Sequence, residues 1–167
     1  MMSFDPSKLS PRLKELSKMV PANVQEVWDI CCDHGYLGRY LLTLARGKVN
    51  FLDQVPGIID ELDQYLQSEF SPDHFRTIMA DGRTYPYKLS QTLNCFCIAG
   101  VGFYTVRDII QQIEDCLGSH IQEQYLLIGS QKNNFKLRQW LRERGWKINQ
   151  ERMVLENGHF RELWLLH

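Results

Sequence analysis

Four short segments carry the residues able to do chemistry: Cys31-Cys32-Asp33-His34-Gly35, Asp53-Gln54, Asp81-Gly82 and Ala99-Gly100-Val101-Gly102. Each follows an apolar run of strand length. Asp53 is the sharpest of these residues, standing 20 positions after Asp33 at the end of the second such run. A carboxylate there can accept hydrogen bonds from both hydroxyls of an adenosine ribose; the competing reading is a surface turn. Asp81 either reaches an adenine amino group or belongs to an Asp-Gly turn. Gly35, Gly100 and Gly102 let the backbone come close to a ligand, because they carry no Cβ.

The loop from Cys31 to Gly35 holds one glycine, where a dinucleotide fingerprint needs three. Those glycines serve a pyrophosphate. S-adenosylmethionine has no phosphate, so their absence counts against a nicotinamide cofactor and not against S-adenosylmethionine. No metal site is expected. Cys31, Cys32, Asp33 and His34 are adjacent, adjacent residues rarely converge on one ion, and the chain has no CxxC or HxxxH spacing. Cys95 and Cys97 lie two apart on one side of a strand and read as buried thiols.

The pattern around these segments supplies elements to hold them. Apolar residues at Leu9, Leu13, Leu16 and Met19 predict a short helix within an N-terminal segment 1–22, ended by Pro21 and Asn23. Strands are expected at Val24–Ile30, Val49–Leu52, Phe75–Ala80, Leu93–Ala99 and Gln124–Ser130. Helices are expected at Tyr36–Leu44, from Pro56 through Leu66, at Tyr104–Leu117 and at Asn134–Arg144. Gly47, Gly118 and Gly145 stand where helix ends need them. The last two strands, Trp146–Glu156 and Phe160–Leu166, flank Asn157-Gly158, a pair suited to a two-residue type I′ hairpin.

Strands alternating with helices predict an α/β fold, with a parallel sheet covered on both faces. Seven strands closing in an antiparallel C-terminal hairpin are the Rossmann-like class I methyltransferase layout rather than a plain nicotinamide domain. In such sheets ligands bind at the carboxyl ends of the strands.

The chain has 167 residues, enough for one domain, 1–167, and 44% of them are hydrophobic. Nineteen basic and 20 acidic side chains leave a net charge of -1, which argues against a strongly basic nucleic-acid grip over the whole surface. Five cysteines, an odd number, and a start without an apolar signal core predict reduced thiols in the cytoplasm. No apolar run approaches the roughly 18 residues of a membrane span.

Taken in order, several segments resemble the bacterial tRNA (adenine-22, N1)-methyltransferases over Leu9–Leu166. Leu9-Ser10-Pro11-Arg12-Leu13 is similar to the family's Leu-Ser-x-Arg-Leu. Asp29 to Leu37 resembles its Asp-Ile-Gly-Ser-Asp-His-Ala-Tyr-Leu. Ala80-Asp81-Gly82 resembles Gly-Asp-Gly, and Ile98 to Gly102 resembles Ile-Ala-Gly-Met-Gly. Lys136 to Leu141 with Gly145-Trp146 resembles Lys-Leu-Arg-x-Trp-Leu and Gly-Trp/Tyr. The departures are Cys31 for a glycine, Phe103 for a second glycine after Gly102, Gly129-Ser130-Gln131 for Gln-Pro-Asn, and a sequence that stops before the family's C-terminal helical extension.

The resemblance implies an S-adenosylmethionine-dependent methyltransferase, with adenine N1 of a tRNA as acceptor. The expected cofactor-binding residues are Cys31, Cys32, Asp33, Gly35, Tyr36, Leu37, Asp53, Gln54, Asp81, Gly82, Ala99, Gly100, Val101 and Gly102. Asp33 and His34 are the expected catalytic pair, orienting the adenine, with Phe103 or Tyr104 stacking on it. Arg12, Lys14, Lys132, Lys136 and Arg138 are candidates for a local phosphate-binding patch; the competing reading is solvated helix faces. Methyl transfer to a small molecule or protein, a non-catalytic cofactor-binding module and, more distantly, a nicotinamide dehydrogenase are the other readings.

Overall fold

The computed structural model describes residue 7, residues 9–88 and residues 92–167. Residues 1–6 and 8 of the expected N-terminal segment lie outside the described residues. The elements follow the sequence pattern closely. They run α1 (Pro11–Met19), β1 (Glu26–Ile30), α2 (Tyr36–Thr43), β2 (Lys48–Asp53), α3 (Pro56–Glu69), β3 (Phe75–Met79), β4 (Asn94–Ala99), α4 (Phe103–Leu117), β5 (Tyr125–Gly129), α5 (Asn134–Glu143), β6 (Ile148–Glu156) and β7 (His159–Leu166). Short 3-10 turns at Pro72–His74 and Gly118–Glu123 were not signalled by the periodicity. α1 starts where Ser10 caps it, its side chain accepting from Leu13 N at 3.3 Å with Pro11 in the first turn.

The seven strands form one sheet in the order β3-β2-β1-β4-β5-β7-β6. β1 to β5 pair in parallel, while β7 is antiparallel to both β5 and β6. The expected hairpin is present. Asn157 and Gly158 have φ of 51° and 76°, the two positive values a type I′ turn requires, and Glu156 pairs with His159 across it. The hairpin folds back so that β7, not β6, joins β5, leaving β6 at the sheet edge.

Alternate residues of the central strands enter two cores, as the two-residue period of a strand dictates. Val27, Phe51, Cys95, Cys97 and Leu127 pack under α1, α2 and α3. Trp28, Ile30, Leu52, Phe96, Ile98 and Ile128 pack under α4 and α5. Chain direction reverses its progress across the sheet between β1 and β4, the topological switch point. The loops after these two strands are Cys31–Gly35 and Gly100–Gly102, two of the four chemistry-bearing segments.

Candidate functional site

The loop after β1 is built from an unusual backbone. Cys31, Asp33 and Gly35 have φ of 58°, 52° and 67°, so every second residue is left-handed. Only glycine adopts that region freely, and an L side chain there costs roughly 1 kcal/mol or more. The loop is held in that shape from two directions. Asp53 at the end of β2 accepts from Asp33 N at 3.0 Å through one oxygen and from Val55 N at 3.1 Å through the other. Gly35 N donates to Cys32 O at 2.8 Å.

Beneath the loop lies Asp29, 5% exposed, whose carboxylate accepts from Gly38 N at 2.9 Å. Burial pushes its pKa up to about 7; the Gly38 hydrogen bond opposes this and the charge of Asp53 adds to it. Gly38 sits in the first turn of α2. A Cβ there would lie 2.3 Å from Phe51 Cε1 and 2.9 Å from Val49 Cγ1, so only glycine allows α2 to pack this closely on β2.

Three carboxylates, Asp29, Asp53 and Asp81, thus surround the switch point at the ends of β1, β2 and β3. The Cys31 thiol registers their field: burial first, then Asp53, Asp29 and Asp81 push its pKa up to about 12. Arg83 offsets the charge of Asp81, and burial raises the pKa of Asp29, so the excess negative charge at the strand ends is small.

On the other side of the switch point the turn after β4 is open. Gly100 has φ of 79°, and a Cβ built on it would meet only Arg12 Nη2 at 3.9 Å and Gln131 Nε2 at 4.0 Å. Nothing lies within 4 Å of a Cβ on Gly102. Ala99, Val101, Gly100 and Gly102 are all half-exposed.

The methyltransferase domain family matches residues 9–163 of this chain. The chain belongs to that family. Similar solved structures agree on the fold of this methyltransferase domain. M. capricolum TrmK, in complex with S-adenosylhomocysteine, superposes with a TM-score of 0.79 at 23% identity, over 95% of this chain and 68% of that one. The B. subtilis m1A22 tRNA methyltransferase TrmK gives 0.81 at 20% identity, over 96% and 66%. The magnesium protoporphyrin IX methyltransferase of Synechocystis, with bound S-adenosylmethionine, gives 0.67 at 13% identity, over 93% and 75%. No curated protein sequence matches the chain.

The methyltransferase domain gathers the sequence-predicted residues at one edge of its sheet, with different exposures. Asp33 and His34 are exposed, with His34 Nε2 3.7 Å from Asp33 Oδ1. Tyr36 is half-buried beside His34, ring centroids 5.9 Å apart. Cys32 and Leu37 are buried in the core and serve the loop from below. Gln54 is exposed beside Asp53. Asp81 is bound bidentately by the Arg83 guanidinium at 2.6–3.1 Å and also accepts from Arg83 N at 2.9 Å. Arg83 holds its carboxyl below the usual range. The turn reading of Asp81-Gly82 is therefore realised, and Tyr87 Oη closes it by donating to Gly82 O at 3.0 Å.

Other expectations divide. Phe103, the first residue of α4, is buried, whereas its neighbour Tyr104 is 60% exposed, so Tyr104 is the ring able to stack on a base. Lys14, Lys132 and Lys136 are exposed. Arg138 is spent on the sheet: it pairs with Glu151 and Glu162 and lies 4.4 Å over the Trp164 ring. Among the described residues no group of three His, Cys, Asp or Glu side chains could hold a metal ion. No described helix is long and apolar enough to cross a membrane.

Sequence reasoning missed Asp29 and Gly38 as parts of the site. A signal existed. Gly35-x-x-Gly38 keeps the spacing of the second and third fingerprint glycines, with Asp29 at the end of the preceding strand.

Proposed function

We propose that the chain is an S-adenosylmethionine-dependent methyltransferase that methylates adenine N1 in tRNA. The cofactor is supported by the match to the methyltransferase domain family and by Asp53, which ends β2 against the loop after β1. The cofactor, when bound, supplies an electrophilic methyl group on a sulfonium.

The residues divide the work as follows. Asp53 keeps lone pairs free beyond its two backbone bonds, so it can accept from a ribose diol while holding the loop. Cys31, Asp33 and Tyr36 form the wall after β1, with Cys32, Gly35 and Leu37 buried beneath it; Gln54 and Asp81-Gly82 border the adenine side, and Ala99 to Gly102 form the opposite wall. Adenine N1 already carries a lone pair, so no strong base is needed, and positioning supplies most of the rate. Exposed Asp33 and His34 orient the base, and Tyr104 stacks on it after it leaves its stem. The adenine N1 and tRNA assignment is supported by the segments resembling the adenine-22 family and by the m1A22 tRNA methyltransferase TrmK of B. subtilis, whose fold this chain shares. The same reading carries a cytoplasmic location.

The test uses the purified chain. S-adenosylmethionine should raise its Tm and NAD should not, and Asp53→Ala should remove the shift. Radiolabelled cofactor with bulk tRNA should give label at 1-methyladenosine, located by a reverse-transcription stop. Stabilisation by NAD alone would sink the methyltransferase reading. Cofactor binding with no tRNA label would move the acceptor to a small molecule or protein.

A further inference from the structure

A cluster on the far side of the crevice is only half satisfied. Glu156, the last residue of β6, is 8% exposed. Its Oε2 faces Arg12 Nε at 3.6 Å and Arg161 Nε at 4.0 Å. Arg12 Nε, Arg161 Nε and Glu156 Oε1 are all buried without a hydrogen-bond partner. Two guanidinium groups share one carboxylate, so one positive charge is left over. Buried polar atoms are normally paired, and this cluster holds its guanidinium groups by charge alone at the Nε atoms, leaving their outer Nη groups for other partners.

The donors of this cluster converge beside the reaction crevice. Arg12 Nη2 and Gln131 Nε2 are the two atoms nearest the open position at Gly100. Arg161 Nη1 donates to Gln131 O at 3.3 Å, and Gln131 N donates to Val101 O at 3.1 Å, which ties the three side chains to the turn after β4. The surface they present carries guanidinium N–H donors and the Gln131 amide, with a surplus positive charge. Lys132 and Lys136 stand nearby on the loop after β5 and the start of α5, exposed and without ion pairs among the described residues. Cationic surfaces bind anionic oxygens, and guanidinium forks suit phosphate above other anions.

We propose that Arg12, Arg161 and Gln131 form a phosphate-binding subsite for the acceptor strand, gripping a backbone phosphodiester next to the nucleotide offered to the crevice. This rests on the reading of an RNA acceptor. Glu156 is a positioning residue: buried and carboxylate-only, it aligns the two guanidinium groups and does not touch the phosphate.

The experiment reads binding without methyl transfer. Fluorescence anisotropy of labelled tRNA is measured against salt, with the protein saturated in S-adenosylhomocysteine. Arg161→Gln should weaken tRNA binding about 10-fold and lower the salt slope by about one, with cofactor affinity and Tm unchanged. Arg12→Lys, which keeps the charge and loses the fork, should weaken binding less. If these variants fold poorly, a stem-loop RNA with single methylphosphonate linkages tests the wild-type protein instead; one linkage beside the target adenine should carry the loss. Unchanged affinity and slope in folded Arg161→Gln, or indifference to every methylphosphonate, would overturn the subsite. Competition by inorganic phosphate well beyond chloride of equal ionic strength would show a free-anion site and overturn the RNA assignment. The two readings fail separately. Arg161-dependent binding without methylation removes the adenine assignment alone, and methylation with an unaltered slope removes the subsite alone.

Discussion

Asp29 should make this protein less stable as pH rises through the neutral range, and Asp29→Asn should abolish that dependence. The carboxyl is buried, accepts one hydrogen bond from Gly38 N and has its pKa pushed up to about 7 from the ordinary 3.8. Between those values the folded chain keeps a proton that the unfolded chain has lost. The native state therefore binds more protons, so stability falls as pH rises, and the penalty is complete above the folded pKa. From pH 5 to pH 8 the penalty grows by about 2.5 kcal/mol, at 1.36 kcal/mol per pKa unit. Asparagine keeps the acceptor for Gly38 N and adds an N–H pair, whose burial costs the same at every pH. The informative quantity is thus the difference in unfolding free energy between variant and wild type, measured by urea denaturation at each pH. It should shift in favour of Asp29→Asn by that amount, or about 5–10 °C in Tm for a domain of this size. Other titrating groups, including the five histidines, are common to both proteins and cancel. A difference that stays constant from pH 5 to pH 8 would refute the buried, proton-retaining carboxyl.

Three further outcomes test other parts of the site. Gly38→Ala should destabilise by about 1–3 kcal/mol, because Phe51 is fully buried and cannot yield to a Cβ placed 2.3 Å away; chemical denaturation reads it. With iodoacetamide at pH 8, mass spectrometry should find exposed Cys116 modified first and Cys31 only after unfolding, since the Cys31 pKa of about 12 keeps its thiol protonated. Tyr104→Ala should lower kcat/KM for tRNA about 10- to 100-fold, the loss of one base stack, with cofactor affinity unchanged in calorimetry.

Much of the fold was legible because glycine, proline and asparagine punctuate it. Gly47, Gly118, Gly145 and Asn157-Gly158 all have positive φ at the turns that their types suggested. Strand order was not legible: nothing in the period of β6 or β7 says which of them joins β5. The site was legible where a residue ends a strand in a polar segment, as Asp53 does. Asp29 escaped because it stands inside an apolar run, where a sequence shows a polar residue but not its burial. Gly38 escaped because it lies inside a helix, outside the loop in which glycines were counted. Phe103 and Tyr104 are neighbours of the same chemical class, and only the helix register buries one and exposes the other. Gln131 stood out only within the altered Gly129-Ser130-Gln131 segment, and Arg161 and Glu156 carried no signal at all, since the hairpin and the packing of α1 on β6 bring them to Arg12.

Net charge left a local basic patch open for a related reason. A total of -1 looks indifferent to RNA, but a total says nothing about arrangement. Here the carboxylates gather after β1, β2 and β3, and the guanidinium groups gather beside the turns after β4 and β5. On the proposed function, the guanidinium groups face the acceptor strand while Asp53 faces the cofactor, so the two ligands meet different walls of the crevice between β1 and β4.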